Sequence, residues 1–226
     1  MNFLSHFYFD RLNADANVVM GVVLPDLIKN ASKEANLYPQ KNEFLFLGNP
    51  DEEGLLFGWK RHLAVDLFFH SSEFFLEKTT ELKQLIIPVA ENTVVRPSFL
   101  AHIGLELLLD HLLIEHNLVQ VDHFYDKLIA VKKDSLSDFL AHCKLRNPDV
   151  FFKFLEQFIS SKYLLSYQKL ENISYALNRI CMRLWPETLD EKQINQLTFQ
   201  LAFFKKNLEK DFINIFDTIE SKLVNR

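Results

Sequence analysis

Apolar positions recur along this chain three or four residues apart, and the two-residue alternation of a half-buried strand is scarce. The pattern predicts helices near residues 2–12, 16–30, 55–82, 96–116, 121–143, 148–166, 168–184 and 190–224, with breaks inside the longest. VVMGVVLPDL is the nearest thing to a strand, and it reads equally well as a buried helix. Boundary residues support the scheme. Asn49-Pro50-Asp51 is a turn followed by acidic residues, an N-terminal signal, and Asn147-Pro148-Asp149 opens another helix. Pro88 and Pro97 bracket a loop, with Pro97 suited to a first helical turn. Trp185-Pro186 closes a helix, because proline disfavours helical geometry at the residue before it. No repeat, low-complexity tract or long linker divides the chain, so it reads as a single all-α domain over 1–226.

Two of these helices carry polar rows through apolar surroundings. RHLAVDLFFH places His62, Asp66 and His70 four residues apart, on one slowly drifting stripe. FLAHIGLELLLDHLLIEH places His102, Glu106 and Asp110 on another, with His111 at its margin. A lone histidine in an apolar helix is usually a hydrogen-bonded core residue. Two rows of the same spacing are harder to explain that way, because buried charges are costly unless satisfied. Facing each other, the rows would supply the imidazole and carboxylate donors of a Zn, Mn or Fe site, of the kind bundles build from opposed helices. Asp26 in GVVLPDLI and His6 in NFLSHFYF are held in apolar surroundings in the same way and could converge there. Seven of the eight histidines fall before residue 124, which puts the chemistry in the first half of the chain. His116, Asp122, His123 and His142 read as structural or surface groups.

Composition narrows the picture. Only 5 glycines and 7 prolines suit long regular elements, and 22 phenylalanines suit the wide gaps between helices. Phe68-Phe69, Phe74-Phe75, Phe151-Phe152 and Phe203-Phe204 read as core. The net charge of −5 gives no general attraction to nucleic acid or membrane, and the clusters Lys132-Lys133 and Lys205-Lys206 read as solvated faces. Cys143 and Cys181 have neither metal nor disulfide-framework spacing, as expected of small core residues in a reducing compartment. The N-terminus lacks the parts of a secretory signal, and no charge-free apolar run reaches about 18 residues, so a cytoplasmic protein is expected. P-loop, GxSxG, GxGxxG and cysteine-based zinc motifs are absent.

Four segments in order, MNFLSH, GVVLPDLIKN, GWKRHLAVDLFFH and LELLLDHLLIEH, resemble the acyl carrier protein phosphodiesterases. That family begins Met-Asn-Phe-Leu-Ala-His. It continues with Gly-Asn-x-x-x-Asp-Phe, His-Arg-x-Ile-Asp-x-Phe-Thr-Asp and Asp-x-x-x-Asp-His-Phe-Leu segments. ISYALNRICMRLW is similar to its C-terminal Leu-x-Arg-x-x-x-Arg-Leu helix. The resemblance implies an all-α fold like a rearranged HD-type phosphohydrolase. It also implies a divalent metal, Mn foremost with Zn, Fe or Mg as alternatives, and release of 4′-phosphopantetheine from a serine of acyl carrier protein. Residue by residue it covers Asn2, His6, Asp26, His62, Asp66, Asp110 and His111. The chain departs from the family at Leu63 (Arg there), His70 (Asp) and Glu106 (Asp), and His102 has no counterpart. Together with the stripes, this gives Asp26, His62, Asp66, His70, His102, Glu106 and Asp110 as candidate metal ligands. His6, His111 and Asp66 are the candidate catalytic groups, and Asn2, Lys29, Lys60 and Arg61 the candidate substrate contacts. Hydrolysis of a small phosphoester or nucleotide, or a non-catalytic metal-binding bundle, is the alternative.

Overall fold

The computed structural model describes residues 1–224. Among them the regular elements are helices: α1 (Phe3–Tyr8), α2 (Ala16–Ala31), α3 (Pro50–His70), α4 (Glu73–Ile86), α5 (Pro97–Glu115), α6 (Val121–Ala130), α7 (Lys133–His142), α8 (Pro148–Ser161), α9 (Leu170–Cys181), α10 (Glu191–Leu208) and α11 (Ile213–Val224), with short 3-10 turns. The all-α expectation holds, and VVMGVVLPDL lies within α2.

Local sequence sets the boundaries. The Asp15 side chain accepts a hydrogen bond from the Asn17 N–H and caps α2. Pro50 opens α3, and Asp51, Glu52 and Glu53 complement its N-terminal dipole. Pro97 and Pro148 occupy the first turns of α5 and α8. The segment expected as one helix over 55–82 is two. Ser71 and Ser72 turn their hydroxyls to the carbonyls of Leu67 and Phe69, and Ser72 Oγ then accepts from the Phe75 N–H to start α4. The segment 121–143 breaks where Val131 and Lys132 are extended, and 190–224 breaks between Leu208 and Ile213. Helix α9 ends at Cys181, before Trp185-Pro186 is reached. Past α5, Asn117 takes φ 55°, and the N–H groups of Leu118 and Asn117 return to the carbonyls of Leu113 and Ile114.

The chain divides into two compact units, with the boundary inside α3. The first holds Met1–Asp66 and Val119–Leu165. In it α2 packs against α1, α6 and α8 over an aromatic core that includes Phe3, Phe7, Phe124, Tyr125 and Phe158. Gly21 of α2 meets Gly58 of α3 at backbone contact. A Cβ on Gly21 would lie 2.3 Å from the Leu55 carbonyl oxygen, and one on Gly58 2.2 Å from that of Val18. The second unit holds Leu67–Leu118 and the segment from Ser166 onward, with α5 against α4 and α9, and α10 against α4 and α9. Between Gly104 and Ile114 every residue of α5 is buried, so apolar residues surround Glu106, Asp110 and His111 there. By length and composition α5 would also pass as a membrane span, and 67% of that window is buried inside the protein.

The phenylalanine pairs are only partly core, with three of the eight rings buried. Phe69, Phe151 and Phe204 are buried, while Phe203 is exposed and Phe68, Phe74, Phe75 and Phe152 are intermediate. Neighbours on a helix point about 100° apart, so a pair seldom buries both members.

Candidate metal centre

The polar residues gather into separate clusters, and the first is in the first unit. His6 comes from α1, and His62 and Asp66 come from successive turns of α3. One ligand atom from each lies within 4.8 Å of the others. His6 Nε2 is 3.3 Å from Asp66 Oδ1, and His62 Nε2 is 3.5 Å from Asp66 Oδ2. The two imidazoles stack, centroids 3.9 Å apart and planes at 19°. The Met1 ammonium also reaches Asp66 Oδ1, at 2.7 Å.

The helix crossing sets the histidine tautomer. Gly21 and Gly58 bring α2 and α3 together, and one turn beyond Gly58 the His62 Nδ1 lies 2.9 Å from the Val22 carbonyl oxygen. Only a protonated Nδ1 can bond that oxygen, so a neutral His62 keeps its lone pair on Nε2, toward Asp66. Lone pair and carboxylate then face one another, as donors to a cation do. His6 is buried: its Nδ1 has no hydrogen-bond partner among the described residues, and its Nε2 faces Asp66 Oδ1 at 3.3 Å. Burial, and then the neighbouring His62, push its pKa down to about 3, so it is neutral at ordinary pH. Burial pushes the Asp66 carboxyl up, but His6, the Met1 ammonium and His62 together hold it far below the usual carboxylate range. The neutral His6, the His62 ring with Nε2 toward Asp66 and the ionised Asp66 carboxylate are a donor set that fits a borderline divalent ion.

A second cluster lies in the second unit: His70 at the end of α3, with His102 and Glu106 on α5. The first stripe is therefore split. Its third member, His70, meets the other helix's row. Asp110 is fully buried and belongs to no converging donor group among the described residues. Asp26, half-buried on α2, stands outside such groups too. His111 Nδ1 is 2.7 Å from the Tyr167 carbonyl oxygen, and its buried Nε2 is 3.8 Å from Glu115. Asn2 stands at the N-cap of α1 without a side-chain capping bond.

The candidate substrate cations are largely compensated. Lys60 pairs with Glu43 at 2.9 Å, Arg61 with Asp10 at 2.8 Å, and Lys29 bonds the Asn36 side chain at 2.6 Å. The structure adds a buried carboxylate that sequence reading passed over. Glu52 accepts from Asn49, and its Oε2 lies 2.7 Å from His142 Nδ1. In sequence it looks like one more acid at a helix start.

A family model described as acyl carrier protein phosphodiesterase matches residues 1–219. The chain belongs to that family. The match spans both units and every candidate site residue. No curated protein and no solved structure gave a match. Of the residues that match the family's motif segments, His6, His62 and Asp66 form a converging donor group among the described residues.

Proposed function

We propose that the chain is a metal-dependent phosphodiesterase that releases 4′-phosphopantetheine from holo-acyl carrier protein at the His6–His62–Asp66 cluster. The observation that carries this reading is the His62 Nδ1 contact with the Val22 carbonyl, which turns Nε2 toward the ionised Asp66. His6 through a ring nitrogen, His62 through Nε2 and Asp66 through a carboxylate oxygen would hold the ion. A divalent ion bound there would offset charge on the phosphoryl oxygens and make a water more acidic.

Water adds to phosphorus, and the bond from phosphorus to the serine oxygen breaks. The products are apo-protein, whose serine oxygen takes a proton, and free 4′-phosphopantetheine. His6 suits a neutral ligand better than a general acid, because burial keeps the proton off it. Asp66, ionised, orients the attacking water through a carboxylate oxygen. The Val22 carbonyl fixes the His62 ring, as partners behind a metal-bound histidine commonly do. A small phosphodiester is the second reading, favoured by the compensation of Lys60 and Arg61, which leaves little free positive charge for an acidic protein.

Incubation of metal-free chain with holo-acyl carrier protein, with and without added Mn2+, tests the proposal by mass spectrometry of the carrier. A carrier lighter by one phosphopantetheine only when metal is present is expected. A carrier left intact while an aryl phosphodiester is cleaved would transfer the reading to small substrates. No turnover of either removes it.

A further inference from the structure

An open groove lies in the first unit, between α8 and the junction of α6 with α7. Its volume is about 580 Å3, within the range of about 300–1,000 Å3 that small organic ligands occupy. The helical period builds one wall. Phe152, Leu155 and Ile159 stand three or four residues apart and so share one face of α8. The facing wall comes from Ile129 near the end of α6, the extended Val131 and Leu136 on α7. Met20 of α2 and Leu128, both buried, lie at the bottom. Ile129 is 57% exposed although it is a large apolar residue. Apolar area is thus left in water at a concave place, where an apolar ligand gains most by covering it.

Charge is laid unevenly along the groove. Lys133 Nζ is 5.3 Å from the centroid of the Phe152 ring, and Lys153 follows Phe152 on α8, so both cations stand at the Phe152 end. Neither has a carboxylate partner among the described residues, whereas the neighbouring Lys132 pairs with Asp51 at 3.0 Å. The one acid in the lining among the described residues is Glu156, one turn further along α8. Two lysines less one glutamate leave the lining one unit positive.

An apolar trough with cations at one end is complementary to a chain with an anionic head. A single positive excess matches a singly charged head better than a doubly charged phosphate monoester, and lysine lacks the planar fork that suits phosphate. An amphipathic helix fits less well. It is about 10–12 Å across and needs anchors over several turns, and the apolar row from Phe152 to Ile159 runs for only about 10 Å.

We infer that this groove binds a medium-chain fatty carboxylate, with the head at Lys133 and Lys153 and the alkyl tail between α8 and the α6–α7 junction. The site is separate from phosphodiester hydrolysis at His6, His62 and Asp66 and does not rest on that reading.

Isothermal titration calorimetry of the full chain with sodium decanoate tests it. EDTA is present, so that a carboxylate on a bound ion does not contribute. One equivalent should bind, and hexanoate should bind more weakly by about two- to fourfold for each methylene removed. The double variant Lys133→Gln/Lys153→Gln should weaken decanoate binding about tenfold, through loss of two exposed charge contacts. Ile129→Asp, which sets a carboxylate in the apolar wall, should abolish it. All three positions are exposed, so the variants are expected to fold, with circular dichroism as the check. Decyltrimethylammonium, with the same tail and the opposite charge, should not bind. No binding of decanoate at millimolar concentration, wild-type affinity in both variants, or equal binding of decyltrimethylammonium would overturn the site. Tighter binding of decyl phosphate would overturn the carboxylate assignment. A groove that takes an acidic amphipathic peptide and not decanoate would be a protein-docking face instead.

Discussion

At the scale of single residues, His6 makes the sharpest prediction. Its folded pKa is about 3 against an ordinary 6.5. The unfolded chain therefore takes up a proton between these values that the folded chain refuses. Stability from this group is complete above pH 6.5 and is lost as pH falls toward 3, with a slope approaching about 1.4 kcal/mol per pH unit. Denaturant melts of metal-free protein between pH 7 and 4 should show this slope, and His6→Phe, which keeps a ring against His62, should flatten it. An unchanged slope in the variant would contradict the burial of a neutral His6. Asp66→Asn should lower phosphodiester turnover by at least ~100-fold with the fold intact, because it removes the cluster's only carboxylate. His123→Ala, on an exposed side chain, serves as the control with rates near wild type.

At the scale of elements, the crossing of α2 and α3 holds the His62 ring. Gly58→Ala puts a methyl 2.2 Å from the Val18 carbonyl oxygen, so the helices must part. Overpacking of this kind costs about 1–3 kcal/mol. The separation should also release His62 Nδ1 from Val22, so metal affinity and turnover should fall further than the melting temperature alone implies. Chemical denaturation together with metal titration checks this, and a stability loss with metal affinity unchanged would detach the crossing from the site. Much of this scale was legible in sequence. The helical period foretold the His62–Asp66 and His102–Glu106 pairs, because i and i+4 share a face. Which row His70 would join was not legible, since that depends on how α3 ends and on what packs there. The Val22 carbonyl was invisible for a simpler reason: a backbone acceptor leaves no trace in residue type. The split at Ser71-Ser72 could have been read from the capping hydroxyls, had their weight been set against the apolar period running through them.

For the whole molecule, charge sets how a partner approaches. The net charge is −5, and Lys60, Arg61 and Lys29 already have partners. An acidic carrier protein should therefore gain little from long-range steering. Turnover of holo-acyl carrier protein should be flat or rise modestly as salt increases from about 10 to 150 mM, because screening relieves like-charge repulsion. A steep fall with salt would reveal a basic docking face that these ion pairs conceal. Metal removal is the second test at this scale. A bound ion stabilises by RT ln(1 + [L]/Kd), so prolonged chelation should lower the melting temperature and added Mn2+ should restore it. A melting temperature indifferent to both would argue against any tightly held ion.

The two half-exposed imidazoles of the second cluster have a bearing on how the protein behaves at the bench. His70 Nε2 and His102 Nε2 lie 3.2 Å apart, within reach of one ion fixed to a matrix. Untagged protein should therefore be retarded on a nickel-charged column and leave it at low imidazole concentration, and His102→Ala should be retarded less. Such retardation would warn that a polyhistidine tag, removed or not, leaves behind a chain with an affinity of its own for the resin.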